Sequence, residues 1–256
     1  MGFPLLNRVG TRVELTAQGL GYAADIRKAL NAIAGSAGRH ANHGASGAVT
    51  VSSTPGFASS WLSNHISAFS EAYPDVRLSI VTPRRLDDVS NPDVDVFIAF
   101  GNGNWPGMLV QLVGEVEFTP LCSPVLLNKI GGLAEPADVG KACLLHLGDY
   151  EDWDSWLALT GVEHDCRASS GIVFSDMNLV YAAAISAQGI AMGDTFICRT
   201  AMSSGQLVRP FDIDIKSKRS YYLVISEAKA DSPPVMAFSA WLQSALTKND
   251  VSVADI

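Results

Sequence analysis

Residues 94–100, Val-Asp-Val-Phe-Ile-Ala-Phe, limit what this chain can fold into more than any other run. A strand with one face in water alternates apolar and polar side chains. This one is apolar at every position but Asp95, so it needs cover on both faces. The neighbouring sequence supplies that cover. Residues 48–53 read as a short strand and Ser53-Thr54-Pro55-Gly56 as a turn. Residues 57–73 come next as an amphipathic helix with Trp61, Leu62, Ile66 and Phe69 on one face, and residues 76–81 as a second strand. Strands and helices in alternation predict an α/β fold with a mainly parallel sheet flanked by helices.

The same grammar returns later. Strands are expected at residues 142–147, 172–174, 190–192, 207–208 and 220–226, and helices at 153–159, 177–187, 196–203 and 234–246. This pattern predicts two α/β lobes. The chain is expected to cross between them near residues 120–124 and to return near 216–220. This puts lobe I at residues 48–121 and 220–248, and lobe II at 122–219. A membrane span needs about eighteen uninterrupted apolar residues, and the sequence holds no such run; no secretory leader is expected either. Cys122, Cys143, Cys166 and Cys198 are scattered without a Cys-x-x-Cys pair. That pattern fits buried thiols in a reducing cytoplasm rather than a disulfide frame or a zinc site.

Charge is divided unevenly. Residues 1–41 hold five basic and two acidic groups, a net of +3, in a chain whose total is -8, so the remainder carries -11. A basic arm on an acidic body suits a DNA-contacting segment, and equally a solvated helix. Thr16 is a good N-cap. After it Leu20, Ala23, Ile26, Leu30, Ile33 and Ala37 recur at three and four residues, so a helix over 16–41 carries an apolar stripe. A symmetry mate would bury the stripe, which makes Leu20, Ile26, Leu30 and Ile33 candidates for oligomerisation in a homodimer or homotetramer. Residues 42–47 read as a hinge linker.

Leu5-Leu6-Asn7-Arg8-Val9-Gly10-Thr11-Arg12-Val13-Glu14-Leu15-Thr16-Ala17-Gln18-Gly19 resembles the wing and the start of the linker helix of LysR-type transcriptional regulators. Residues 48–247 resemble the effector-binding domain of the same family, through Ala68-Phe69, Tyr73-Pro74-Asp75-Val76, Cys122-Ser123-Pro124, Gln188-Gly189-Ile190-Ala191-Met192 and Gly205-Gln206-Leu207-Val208-Arg209-Pro210-Phe211. Phe57-Ala58-x-x-Trp61-Leu62 and Gly101-x-Gly103-x-Trp105-Pro106-Gly107 resemble the glycine-cleavage-activator branch. The resemblance implies a two-lobed effector domain like type 2 periplasmic binding proteins. Residues 1–15 would be a remnant of a winged helix-turn-helix, followed by the linker helix. In the family a helix-turn-helix precedes the wing, and here only Met1 to Pro4 do. The resemblance therefore implies an N-terminally truncated regulator, with DNA as a partner if a helix-turn-helix stands upstream.

Open α/β sheets bind ligands beyond the carboxyl ends of their strands, where helix N-termini point inward. On that ground Ser53 and Thr54, and Gly101 and Asn102, are candidate effector contacts. The family pattern adds His146, Phe174, Asp176, Asp194 and Thr195 at the hinge. Hydroxyl-rich helix starts suit a small anion or an amino-acid-like metabolite. Arg8 and Arg12 are candidates for DNA phosphates. The acidic run Asp149, Glu151, Asp152 and Asp154 lacks a calcium-loop spacing, the glycine loop after residue 100 lacks the lysine of a phosphate loop, and there is no Gly-x-Ser-x-Gly elbow. The expectation is a cytoplasmic transcription regulator with no metal, cofactor or catalytic residue. The alternative is a truncated regulator that binds ligand or joins mixed oligomers without binding DNA.

Overall fold

The computed structural model describes residues 4–9, 12–16, 18–19, 22, 26, 45–162 and 171–251. The chain divides into two compact units. One comprises Met1–Ala48, Phe69–Arg77 and Asp231–Ile256; the other comprises Val49–Ala68 and Leu78–Ala230.

In the first unit β1 (Leu6–Val9) and β2 (Arg12–Leu15) form an antiparallel hairpin in which Leu6 faces Leu15 and Val9 faces Arg12. Thr16 does act as a cap after the hairpin: its hydroxyl accepts from the Gly19 N–H at 2.8 Å and donates to the Pro4 carbonyl at 2.8 Å. Gln18, Gly19, Tyr22 and Ile26 are helical, and Ile26 is exposed. Leu20, Leu30 and Ile33 of the expected stripe lie outside the described residues, as does Cys166. The same unit holds the closing helix of the chain, which runs Pro233–Val251 and starts on two prolines, where a missing N–H costs nothing. Its Val235, Phe238, Trp241 and Leu242 are buried. Phe238 and Trp241 meet Phe69 edge-on at 5.5 and 5.4 Å.

The second unit holds both sheets. The first runs in the order β4 (Val76–Val81), β3 (Gly47–Ser53), β5 (Val96–Gly101), β12 (Ser220–Ser226), β6 (Met108–Gly114), with β3 and β4 belonging to this unit from Val49 and Leu78 onward. The apolar run does lie inside it: Val96 to Ala99 are all buried. The second sheet runs β11 (Ile215–Lys216), β7 (Glu117–Leu121), β10 (Ile190–Asp194), β8 (Leu144–Leu147), β9 (Ile172–Phe174). All five residues of β10 are buried.

Two expectations need correction. The sheets are mixed, not mainly parallel: β5 pairs parallel with β3 but antiparallel with β12, and β10 pairs parallel with β8 but antiparallel with β7. A parallel neighbour requires a crossover of a dozen residues or so. β12 instead comes after β11 through Ser217, Lys218 and Arg219, and β6 leads into β7 through Glu115 and Val116. These two passages run side by side, tied by the Ser217 N–H donating to the Val116 carbonyl at 3.0 Å. Consequently the outward crossing lies at residues 115–116, not 120–124, and Glu117–Leu121 belongs to the second sheet. Pro120 is tolerated within β7 because β11 pairs β7 only at Glu117 and Phe118, so Pro120 has a strand partner on the β10 side alone.

Helices connect these strands. α1 (Pro55–Phe57) passes through a π turn at Ala58–Leu62 into α2 (Ser63–Ala72). α3 (Pro124–Ile130) is capped by Ser123 and closed by Gly131 in the left-handed region. α4 (Glu151–Thr160), α5 (Met177–Ile185) and α6 (Arg199–Ser203) come after β8, β9 and β10. No helix of the described residues is long and apolar enough to cross a membrane.

Candidate functional site

Between the two sheets of the second unit lies a cavity of about 690 Å³. From the first sheet it is lined by Thr54, Pro55 and Gly56 after β3, by Arg84, Arg85 and Leu86 after β4, and by Phe100 and Tyr221. From the second come residues at the ends of β8, β9 and β10, including Asp149, Asp152, Asp176 and Asp194. Lys216, Lys218 and Arg219 line it at the return crossing.

Thr54 follows β3 directly and opens α1, where Pro55 takes the first helical position. Its N–H is spent on the Ile98 carbonyl and its own carbonyl on the Ala58 N–H. Thr54 is 3% exposed, and among the described residues its Oγ1 makes no hydrogen bond of normal geometry. That hydroxyl lies near the Tyr221 phenol, close enough to favour slightly the phenolate form.

Asp194 is the counterpart on the second sheet. It is 1% exposed and fully engaged. Oδ1 accepts from the Phe196 N–H at 2.8 Å and the Ile197 N–H at 3.3 Å; Oδ2 accepts from the Tyr221 hydroxyl at 2.9 Å. The last bond joins the sheets, since Tyr221 stands on β12. Burial raises the Asp194 carboxyl to about 6 against the pull of its donors. Burial, then the neighbouring carboxylate, pushes the Tyr221 phenol well up. Beyond Asp194 the chain packs tightly on the first lobe. Phe196 stacks on Phe57 at 5.9 Å and lies 5.7 Å from Tyr221. A Cβ on Gly56 would meet Ile197 at 2.9 Å.

Of the residues read from the sequence, the fold brings Thr54, Asp176 and Asp194 together around this cavity. Asp176 also caps α5, accepting from the Asn178 N–H at 2.8 Å. Ser53, Gly101, Asn102, His146, Phe174 and Thr195 do not line it. Ser53 is fully buried beneath Thr54. Gly101 is covered by the Trp105 ring, which a Cβ would meet at 2.7 Å, and Asn102 is exposed with its Oδ1 on the Asn104 N–H. His146 is buried in β8, edge-on to Tyr150 at 4.5 Å. Phe174 gives its carbonyl to Gly148, and Thr195 gives both its N–H and its hydroxyl to the Glu117 carbonyl. Arg8 and Arg12 lie in the hairpin strands, and their side chains are outside the described residues. Sequence reasoning missed the cationic lining. The adjacent Arg84-Arg85 and the run Lys216-Ser217-Lys218-Arg219 at a predicted lobe crossing were the available signals.

The sequence model of the LysR substrate binding domain matches residues 42–247. The chain belongs to that family. Among its relatives is the glycine cleavage system transcriptional activator of Escherichia coli (strain K12), 34% identical over 94% of this chain and 79% of the relative. The transcriptional activator AmpR of Citrobacter koseri is 31% identical over 76% of this chain and 66% of its own length. The solved effector binding domain of AmpR from Citrobacter freundii is 26% identical, with a TM-score of 0.69 over 78% of this chain and 98% of that one. The LysR-type regulator CrgA of Neisseria meningitidis, 20% identical, shares the fold at a TM-score of 0.74 over 96% of this chain and 84% of that one. These relatives are transcription regulators rather than enzymes, and the two-lobed α/β effector domain is the family's fold.

Proposed function

We propose that this LysR-family chain senses a small molecule in the cavity at Thr54 and Asp194 and thereby controls transcription. Thr54 carries the reading. A buried polar group left without a hydrogen bond costs about 1–3 kcal/mol, and a ligand that bonds to the Thr54 hydroxyl recovers it. Support comes from the position of Thr54 at the carboxyl end of a central strand and the start of a helix. The names of the relatives support the regulatory role. Ligand shifts regulation only by favouring one arrangement of the lobes over another. The Tyr221–Asp194 bond, which joins the two sheets, is the contact we expect to respond. A thermal-shift screen of metabolites on the full chain tests this, because a cleft ligand raises the melting temperature by mass action. Thr54→Val is expected to reduce the shift, as a roughly tenfold loss of affinity requires. Hits whose shifts survive both Thr54→Val and Tyr221→Phe would move the site elsewhere.

The finer reading concerns DNA, which would place the chain in the bacterial cytoplasm. Arg8 and Arg12 are assigned to phosphate contacts, which position a protein without reading bases. Base reading needs a helix in the major groove, so residues 1–256 by themselves are expected not to select an operator. A mobility shift at physiological salt should show weak, salt-sensitive retention, and a sequence-specific complex would sink this reading. The stripe Leu20, Ile26, Leu30 and Ile33 is assigned to a homodimer or homotetramer, or to mixed oligomers with full-length relatives. Co-purification of a tagged copy with such a relative separates the last case.

A further inference from the structure

We propose that the cavity is built for a dipolar ligand, one carrying an anionic group at one end and an ammonium group at the other. This rests on the effector reading above and gives it a chemical class. The two lobes bring opposite charges to one space. The first supplies Thr54, whose buried hydroxyl makes no hydrogen bond of normal geometry among the described residues, and Arg84 and Arg85 on the connection after β4. Among the described residues Arg84 makes no ion pair, and Arg85 makes an exposed contact to Asp87 at 3.4 Å and acts on the neighbouring Asp88. The second lobe supplies Asp149, Glu151 and Asp152 where β8 passes into α4.

A helix start accommodates one carboxylate comfortably, because the exposed N–H groups favour negative charge. Asp149 already fills that role, accepting from the Glu151 N–H at 3.0 Å. Three carboxylates within four residues go beyond it. Asp152 is half-buried, and its carboxyl is pushed up by burial first and then by Asp149 and Glu151. Among the described residues no group of three acidic, His or Cys side chains converges as a metal site requires. An ammonium needs no such convergence: it is a compact charge with three rotatable donors.

The lining as a whole carries both signs. Lys216, Lys218 and Arg219 add cations at the return crossing, so a ligand of one charge meets like charge somewhere in the cavity. A dipolar ligand meets opposite charge at both ends. At about 690 Å³ the space holds a molecule well beyond a single small ion.

Calorimetric titration of the full chain tests this. The probes are ω-amino acids from glycine to ε-aminocaproate and unprotected dipeptides. The controls are caproate, adipate and hexylamine. At least one dipolar probe is expected to bind about tenfold or more tighter than the controls. Asp152→Asn is expected to remove about tenfold of that affinity and to leave caproate binding unchanged. Glu151→Gln, at an exposed position, serves the same purpose if Asp152→Asn does not fold. The assignment is overturned if no dipolar probe binds, if acid-only probes bind as tightly, or if neither variant loses affinity. The effector reading fails separately, when no metabolite of the broad screen binds at Thr54.

Discussion

β3 and β5 are parallel neighbours, paired at Ser52 with Phe97 and Ser53 with Ile98; β3 ends there and β5 runs on to Gly101. Their fates differ. β3 delivers Thr54 to the cavity wall with its hydroxyl free of a normal hydrogen bond. β5 delivers Gly101 under the indole of Trp105, whose Nε1 donates to the Asp87 carbonyl at 2.9 Å and whose ring meets Tyr222 edge-on at 5.6 Å. The carboxyl end of a sheet gives every strand end the opportunity to bind. Which end takes it depends on whether a side chain from elsewhere has covered it first.

A third strand end sets the largest expected effect. Asp194 ends β10 and receives three donors, so Asp194→Ala strands a buried phenol and two backbone N–H groups. Urea unfolding should show a loss of about 3 kcal/mol. The same carboxyl has a pH signature. Its folded pKa of about 6 stands above the ordinary 3.8, so between these values the folded state holds a proton that the unfolded state releases. Its contribution is present at the acidic end, is lost as pH rises through about 6, and is flat above. Asp88 and Asp138, held low by hydrogen bonds, act in the opposite sense below that window. The informative measurement is therefore wild type minus Asp194→Asn across pH, and a difference that does not fall with rising pH contradicts the prediction.

Gly101→Ala and Thr54→Val separate the two neighbouring strand ends directly. The first forces a Cβ against the Trp105 ring and should cost about 1–3 kcal/mol of stability, with ligand affinity unchanged. The second should weaken ligand binding by about tenfold. It should leave stability unchanged or raise it by up to about 1 kcal/mol, since a methyl replaces a hydroxyl without a hydrogen bond of normal geometry. If Gly101→Ala weakens the ligand and Thr54→Val does not, the roles of the two ends are reversed. The smallest effect belongs to Asn102→Ala, which removes one exposed turn bond and should change stability by less than about 0.5 kcal/mol.

Much of the fold was legible because periodicity reports burial. Residues 76–81, 172–174 and 220–226 form strands over the bounds expected, and the apolar run lies at the centre of its sheet. β6 and β7 were not read. In β6 the exposure of alternate residues is blurred, and β7 contains Pro120, a residue that strands seldom hold. The misplaced crossing resulted from that omission. At the cavity, Thr54 was proposed from strand-end logic, and Asp176 and Asp194 from the family pattern; all three line it. His146 was read as reaching the hinge, yet its ring packs between Tyr150 and the backbone at Gly171, contacts made by residues outside its own strand.

The chain's own order of residues decided the α/β class, the presence of two lobes, the family and the strand ends where binding is possible, because each rests on local periodicity or on short ordered motifs. Only the folded molecule decided which ends stay open, how Tyr221 of one sheet reaches Asp194 of the other, and that Arg84 and Asp152 line one space. Those are meetings between residues far apart in the chain. No local pattern encodes them, since they depend on where two crossings bring whole sheets.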